Sequence, residues 1–391
     1  MSLLDICFII ICLLVGFNLK HLFHSFSKRE KRVLDLLFLL HIFITFTFAF
    51  YISFRGGDAL FYWDYPKNNS FQDILNYLDR GSASGVIFLI NYIPSKILDL
   101  SFLTGNFCYS VVGFLAFIYL FLIVKQLIPE HSKVYKFRVF GVRVIPWIWF
   151  LPNLHFWSCG IGKDTILFFC IALTAYSLLK VKKRWLGLLI SSILMFTIRP
   201  HILLFLIVSF GLGFTLDTRL KAYQRAFIIL LFLIGLVAIF DYVLQFVQLD
   251  SFEFQAIEEY ASNKSASLNQ DDASSGVDIS NYPLPLKVFT FLYRPFFFDI
   301  NGTLAIVASL ENLLLLIFTL IILKKGIFKA FKSGSYLLKG FLIYFLIGSL
   351  AFSLILGNLG IMLRQKNMFF PMFFIFGIWV LHLSMQKSKV S

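Results

Sequence analysis

Apolar runs long enough to cross a membrane alternate with short basic connections along most of this chain. A bilayer-spanning helix takes about 20 predominantly apolar residues. Such runs fall at 3–19, 33–53, 102–124, 144–158, 165–179, 185–198, 202–215, 226–248, 302–323, 340–357 and 367–384. They predict an all-α fold: a polytopic transmembrane helical bundle of about 11 spans, forming a single integral membrane domain over 1–391. Two long polar-containing segments, 54–101 and 249–301, interrupt the series. Within them, 71–101 and 283–300 are half apolar and aromatic and predict helices lying in the membrane interface. The Ser-rich stretch 261–280 predicts a loop. The runs from 144 to 215 are short. At 1.5 Å per residue they reach about 21–23 Å, against a hydrocarbon core of about 30 Å. Short or broken helices are accommodated where their ends line a polar cavity. The stretch 185–215 also reads as one long tilted helix.

Charge supplies orientation. Alternate connections hold most of the Lys and Arg: Lys20 to Arg32, Lys125 to Arg143, Lys180 to Arg184, Arg219 to Arg225, Lys324 to Lys339, and Lys387 with Lys389. By the positive-inside rule these are cytoplasmic, which puts the N-terminus outside and the C-terminus inside. Most carboxylates then fall on the outer face, as do both long segments, which form the first and second outer loops. Function is expected on that face.

Composition agrees. Of 391 residues 50 are Phe, 59% are hydrophobic and 14% are charged. Soluble domains carry about 25% charged residues. A soluble core could not hide this much apolar surface, and disordered chains are poor in aromatics. The net charge of +14 is accounted for by topology, so no nucleic-acid partner is expected. Cys7, Cys12, Cys108, Cys159 and Cys170 lie in or beside apolar runs without a CxxC pair. Neither a disulfide framework nor a zinc site is expected. The run 3–19 lacks a basic leader and a small-residue cleavage pattern and contains Asp5, so it reads as a retained helix.

Three constellations carry candidate chemistry. The first is Phe54-Arg55-Gly56-Gly57-Asp58-Ala59-Leu60-Phe61-Tyr62, just beyond the second run. Its glycines permit a sharp turn. Asp58 can take the proton of an attacking hydroxyl, and Arg55 can grip phosphate oxygens in bidentate fashion. The plainer alternative makes Asp58 a helix cap and Arg55 a headgroup anchor. Tyr62, Trp63 and Tyr65 suit sugar stacking, or an aromatic belt. The second is Gly160-Ile161-Gly162-Lys163-Asp164-Thr165. A glycine-rich stretch entering a helix N-terminus binds anions. It lacks the Walker spacing, and its plainer alternative pairs Lys163 with a capping Asp164. The third is Arg199-Pro200-His201, set between two short runs. A charge inside an apolar stretch costs about 2.5–3.5 kcal/mol on insertion scales and faces a cavity or a partner such as Asp164.

Arg294 and Arg364 fall on the same side by parity. If Arg55, Arg199, Arg294 and Arg364 converge, they form a cationic pocket suited to pyrophosphate. His155 and His201 are acid–base candidates. Asp58 and Asp64 are too sparse a set to specify a divalent cation, so no metal or cofactor is expected. Asp241 and Glu311, placed within apolar runs, would suit ion coupling.

The pattern Arg55, Gly57-Asp58, Tyr62 after the second run, with Arg364 in a short outer loop before the last, resembles bacterial exopolysaccharide and O-antigen polymerases. An Asp in the first long outer loop is also similar to the wider GT-C class of membrane glycosyltransferases. GT-C enzymes usually place that loop after the first span; here it follows the second. The resemblance implies a bacterial inner-membrane glycosyltransferase or polysaccharide polymerase for cell-surface glycan assembly. It would act on polyprenyl-(pyro)phosphate-linked sugars, with a lipid-linked saccharide donor, a glycan acceptor and membrane lipids as partners. Asp58 and Arg199 are then the expected catalytic residues. Arg55, Tyr62, Lys163, Asp164, His201, Arg294 and Arg364 are the expected substrate-binding set. A transporter or flippase of lipid-linked saccharides is the rival expectation.

Overall fold

A computed structural model describes residues 1–217, 275–279, 281–300 and 302–387, with scattered positions between 221 and 237. Most of the predicted run 226–248, Asp241 and most of the stretch 261–280 lie outside the described residues. Among the described residues the fold is all-α, apart from a two-residue antiparallel pairing of Arg138–Val139 with Val142–Arg143. The helices are α1 Leu3–Asn18, α2 Lys28–Arg55, α3 Asp58–Asn68, α4 Phe71–Asp79, α5 Ala83–Asn91, α6 Phe102–Leu127, α7 Val144–Trp147, α8 Pro152–Phe156, α9 Lys163–Leu178, α10 Val181–Ile198 and α11 Pro200–Thr215. They continue as α12 Leu284–Tyr293, α13 Thr303–Lys324, α14 Ile327–Ser333, α15 Tyr336–Ile355, α16 Leu359–Lys366 and α17 Phe370–Lys387. Five of the described helices are long and apolar enough to cross a membrane, or six if the bent pair α16–α17, with 56° between its halves, is one span.

Local sequence explains most boundaries. Ser2, Ser27 and Ser70 each precede a helix and have an acid three residues on, Asp5, Glu30 or Asp73, and all three pairs form reciprocal capping boxes. Two helix breaks have a common cause in proline, one of them a difference from the sequence expectation and the other a choice the sequence left open. The run 144–158 is not one helix. It breaks into α7, a tight turn at Ile148–Phe150 and α8. Ile145, ahead of Pro146, takes extended angles (φ −101°, ψ 127°), and Pro152 opens α8. Proline lacks the N–H a helix interior needs and drives the preceding residue out of the helical region. The stretch 185–215 is two helices rather than one, because Arg199 ahead of Pro200 adopts φ −150°, ψ 83°.

The chain divides into two compact units, Met1–Ile123 with Arg138–Arg199, and Val124–Phe137 with Pro200–Ser391. In the first, α9 is buried on nearly all sides, which fits a helix that is apolar all round, and α10 packs along it. Phe107, Phe114 and Phe117 of α6, Phe38 of α2 and Trp149 fill the core. The acid in the first apolar run has a structural use. Asp5 is buried on α1 and accepts hydrogen bonds from Ser101 N (2.8 Å) and Thr104 Oγ1 (2.6 Å) at the start of α6. Removing it strands both donors. Asp5→Ala is expected to cost about 2–3 kcal/mol, read as a lowered thermal midpoint in detergent. An unchanged midpoint would show that this contact is dispensable.

In the second unit α15 is central, with α11, α12 and α17 packed on it. Phe214 stacks on Tyr336 at 3.9 Å and Phe345 on Phe373 at 4.3 Å between ring centroids. Asp217 accepts from Tyr336 N (2.9 Å), while Lys339 Nζ donates to Leu216 O (2.7 Å). These two bonds tie the end of α11 to the start of α15.

Candidate functional site

In the first unit, Tyr62 of the first constellation and Arg199 of the third meet the second constellation at the start of α9. The turn from α2 into α3 runs through Gly56 (φ 77°) and Gly57 (φ 142°), a conformation that side chains other than glycine rarely adopt. Arg55 and Asp58 flank it and are exposed. Tyr62 lies one helical turn beyond Asp58, on the same face of α3, and is buried. Asn91 Nδ2 donates to the Tyr62 carbonyl (3.0 Å), and Tyr109 Oη donates to Asn91 Oδ1 (3.0 Å). α3 is thereby fixed to α5 and α6.

Gly162 leads into α9 so that Lys163 is its first residue. The Lys163 ammonium lies 5.4 Å from the centre of the Tyr62 ring and donates to Ser84 Oγ in the first turn of α5 (3.2 Å). That is cation–π range. Adjacent helix positions point in different directions, and Asp164 meets Arg199, with 3.2 Å between Oδ1 and Nη2. The sequence alternative of an Arg199–Asp164 pair is what the structure contains. Both side chains are about nine-tenths buried (14% and 11% exposed). Arg199 closes the C-terminal end of α10, so the pair bolts that end to the start of α9. Thr165 Oγ1 donates to Gly160 O (2.6 Å) and Asn106 Oδ1 accepts from Ile161 N (3.0 Å), which holds the glycine-rich stretch in place.

The other expected site residues lie in the second unit. Arg294 makes a bidentate pair with Asp299, Nε to Oδ2 at 3.0 Å and Nη2 to Oδ1 at 2.5 Å, and its guanidinium sits 5.3 Å from the centre of the Phe298 ring. Arg294, expected in the substrate-binding set, thus has its guanidinium fork met by the Asp299 carboxylate from its own loop. Arg364 is half-buried in the last turn of α16, and His201, near the start of α11, lies beside Phe205 and Phe352.

Sequence reading missed several polar residues. Lys366 is fully buried, donating to Leu292 O (3.3 Å) and to Asn312 Oδ1, with the Glu311 charge close enough to act on it. Asn312 Nδ2 donates to Pro295 O (2.7 Å). Only Glu311 stood out in the sequence. Asn312 beside it and Lys366, two residues after Arg364, carried no periodic signal. Ser84, which receives Lys163, was hidden for the same reason. Among the described residues no group of three or more His, Cys, Asp or Glu side chains comes together as a metal site.

The Arg294–Asp299 pair gives a pH dependence. Burial by itself would raise the Asp299 pKa, but hydrogen bonds from Arg294 and from Phe296 N–H, with the Arg294 charge, outweigh it and hold the carboxyl below its ordinary value. The unfolded carboxyl titrates near 3.9. A depressed folded pKa therefore contributes stability that is complete above about pH 4 to 5 and is lost as pH falls through the folded value. Thermal midpoints of wild type and Asp299→Asn should differ by a constant amount at pH 6–8 and converge below about pH 4. A gap that persists in acid would reject this assignment.

Comparison with family models, with curated proteins and with solved structures finds no match to this chain.

Proposed function

We propose that the protein is a multi-pass protein of the bacterial inner membrane, its apolar runs forming the crossings, with the N-terminus outside and the C-terminus inside. It joins sugars carried on a polyprenyl (pyro)phosphate to a glycan acceptor. The observation that carries this reading is the position of Lys163. It stands at the N-terminus of a 16-residue helix, braced by Tyr62 and Ser84, on a segment anchored by the Arg199–Asp164 pair. A helix N-terminus and an ammonium together favour a phosphate. Asp58, exposed one turn before Tyr62, supplies a carboxylate on the same helix face.

In the transfer, an acceptor hydroxyl attacks the anomeric carbon of the donor. The new oxygen–carbon bond forms as the bond from that carbon to the phosphate oxygen breaks. Asp58 takes the hydroxyl proton. Lys163 and the α9 N–H groups stabilise the charge that develops on the departing phosphate. Arg55, exposed across the glycine turn from Asp58, contributes to binding that phosphate. Arg199 acts as a positioning residue through Asp164, and Arg294 is withdrawn from the binding set.

The test is sugar transfer in membranes from cells expressing each variant. Asp58→Asn should lose about 10²–10⁴-fold in rate, and Lys163→Met should weaken donor use. Normal product from both, at wild-type expression, would remove the transferase reading. The second reading, a transporter or flippase of lipid-linked saccharides, is favoured by the buried Lys366 and Glu311 of the second unit. Intramembrane ionisable residues commonly mark ion or substrate pathways. Reconstituted vesicles in which a lipid-linked saccharide crosses the bilayer without a new glycosidic bond would decide for it.

A further inference from the structure

Two buried histidines outside the proposed site face each other in the first unit. His41 on α2 and His155 on α8 are both completely buried, with 2.8 Å between their Nδ1 atoms. The remaining nitrogen of each ring faces a backbone carbonyl. His41 Nε2 is 3.1 Å from Ser110 O, and His155 Nε2 is 2.9 Å from Trp149 O. A carbonyl only accepts, so each Nε2 must carry a hydrogen to make these bonds. A neutral imidazole has one N–H. Two neutral rings would spend both hydrogens on the carbonyls, and the two Nδ1 lone pairs would then meet at hydrogen-bond distance with nothing between them. Three contacts need three hydrogens.

We propose that His41 and His155 share a third proton between their Nδ1 atoms. The pair is thus a proton-binding site that carries one positive charge and clamps the Trp149–Ser158 segment onto α2 and α6. Burial opposes any charge, and three features offset it. The cationic ring donates two of the three hydrogen bonds, one to a carbonyl and one to the partner Nδ1, and charge-assisted bonds are about twice as strong as neutral ones. The His155 ring stacks on Phe117 at 4.3 Å and 11°, presenting the cation to a π face. The charge is also spread over two rings, with His41 edge-on to the same Phe117 (5.7 Å, 70°).

The elements packed around the pair bring no competing acid. The sequences of α6 and α8 contain no Asp or Glu. The acids of α2 are Glu30, in its capping box, and Asp35, paired with Lys20 at 2.5 Å. Asp164 on α9 is paired with Arg199. Other titratable residues on these elements include Cys108, Tyr109 and Tyr119 of α6 and Cys170 and Tyr176 of α9; Cys159 Sγ lies 3.5 Å from Phe156 O.

The experiment is solid-state NMR of the full-length protein, ¹⁵N-labelled at histidine, in lipid bilayers near neutral pH. The expected result is one protonated Nδ1 correlated with an unprotonated Nδ1 partner, both rings also bearing Nε2–H. The correlation should vanish in His155→Gln. Two unprotonated Nδ1 atoms would overturn the proposal, as would a correlation that survives that substitution. If His155→Gln fails to fold, a variant with His21, His24, His131, His201 and His382 all replaced by Asn leaves only the pair to report, and the same two spectra decide. The clamp is read separately by amide hydrogen exchange. His41→Phe should speed exchange over 149–158 by about tenfold or more, and unchanged exchange would reject the clamp.

Discussion

Gly113→Ala is expected to prevent the protein from reaching its native state. A β-carbon at Gly113 would lie 1.7 Å from the Ser158 carbonyl oxygen, where ordinary contacts begin at 3.4 Å. The obstacle is backbone, held by the Ser158 N–H bond to His155 O and the Ser158 hydroxyl bond to Leu154 O (2.6 Å). It cannot rotate aside as a side chain would. α6 and the segment after α8 must therefore separate, which opens the packing around Phe114, Phe117 and both buried histidines. Overpacking that side chains can absorb costs about 1–3 kcal/mol, and more where the backbone has to move. The measurement is the yield of monodisperse protein from detergent and its thermal midpoint. Gly302→Ala is the control, since nothing lies within 4 Å of that position, and it should behave as wild type. Wild-type yield and midpoint for Gly113→Ala would mean that α6 and Ser158 do not approach as described.

Lys366→Met should destabilise the second unit by about 3–5 kcal/mol, the cost of leaving one member of a buried charged set without its partner. Methionine matches the lysine stem in length, so packing is largely kept. The loss is then electrostatic. Leu292 O and Asn312 Oδ1 lose their donor. The diagnostic is the double variant. If Glu311 and Lys366 balance each other, Glu311→Gln with Lys366→Met should recover much of the stability lost by Lys366→Met alone, because a neutral set replaces an unbalanced one. Strict additivity of the two single effects would show that the charges are not coupled. Thermal unfolding in one detergent at one pH gives all four values of the cycle.

Much of the helical layout was legible residue by residue. α1, α2, α6, α13 and α15 each follow an apolar run, and their starts follow short-range rules such as the Ser2–Asp5 and Ser27–Glu30 capping boxes. The break at Arg199 was readable as Arg-Pro, although the sequence alone left a single long helix open. The run 144–158 misled because hydropathy counts apolar side chains and ignores what Pro146 and Pro152 do to the backbone. In the candidate site, the glycine turn beside Asp58 and the glycine-rich lead into α9 could be placed. The Arg199–Asp164 pair, 35 residues apart, was among the alternatives the sequence offered. That Lys163 reaches Ser84 and Tyr62 on other helices was not legible. Arg294, grouped with the other arginines by parity, is occupied by Asp299 five residues on, because the chain after Pro295 turns back on itself.

Where this chain is apolar, where its helices begin and where they break are set by side-chain hydropathy, capping and proline, all of which act within a few residues. Sequence alone therefore determined an all-helical protein with many runs suited to a membrane. Which charges meet, that His41 faces His155, that Lys366 is buried against Asn312, and that the chain folds as two units are decided by contacts between residues tens to more than a hundred positions apart. Those contacts depend on how helices pack, and no local pattern encodes them.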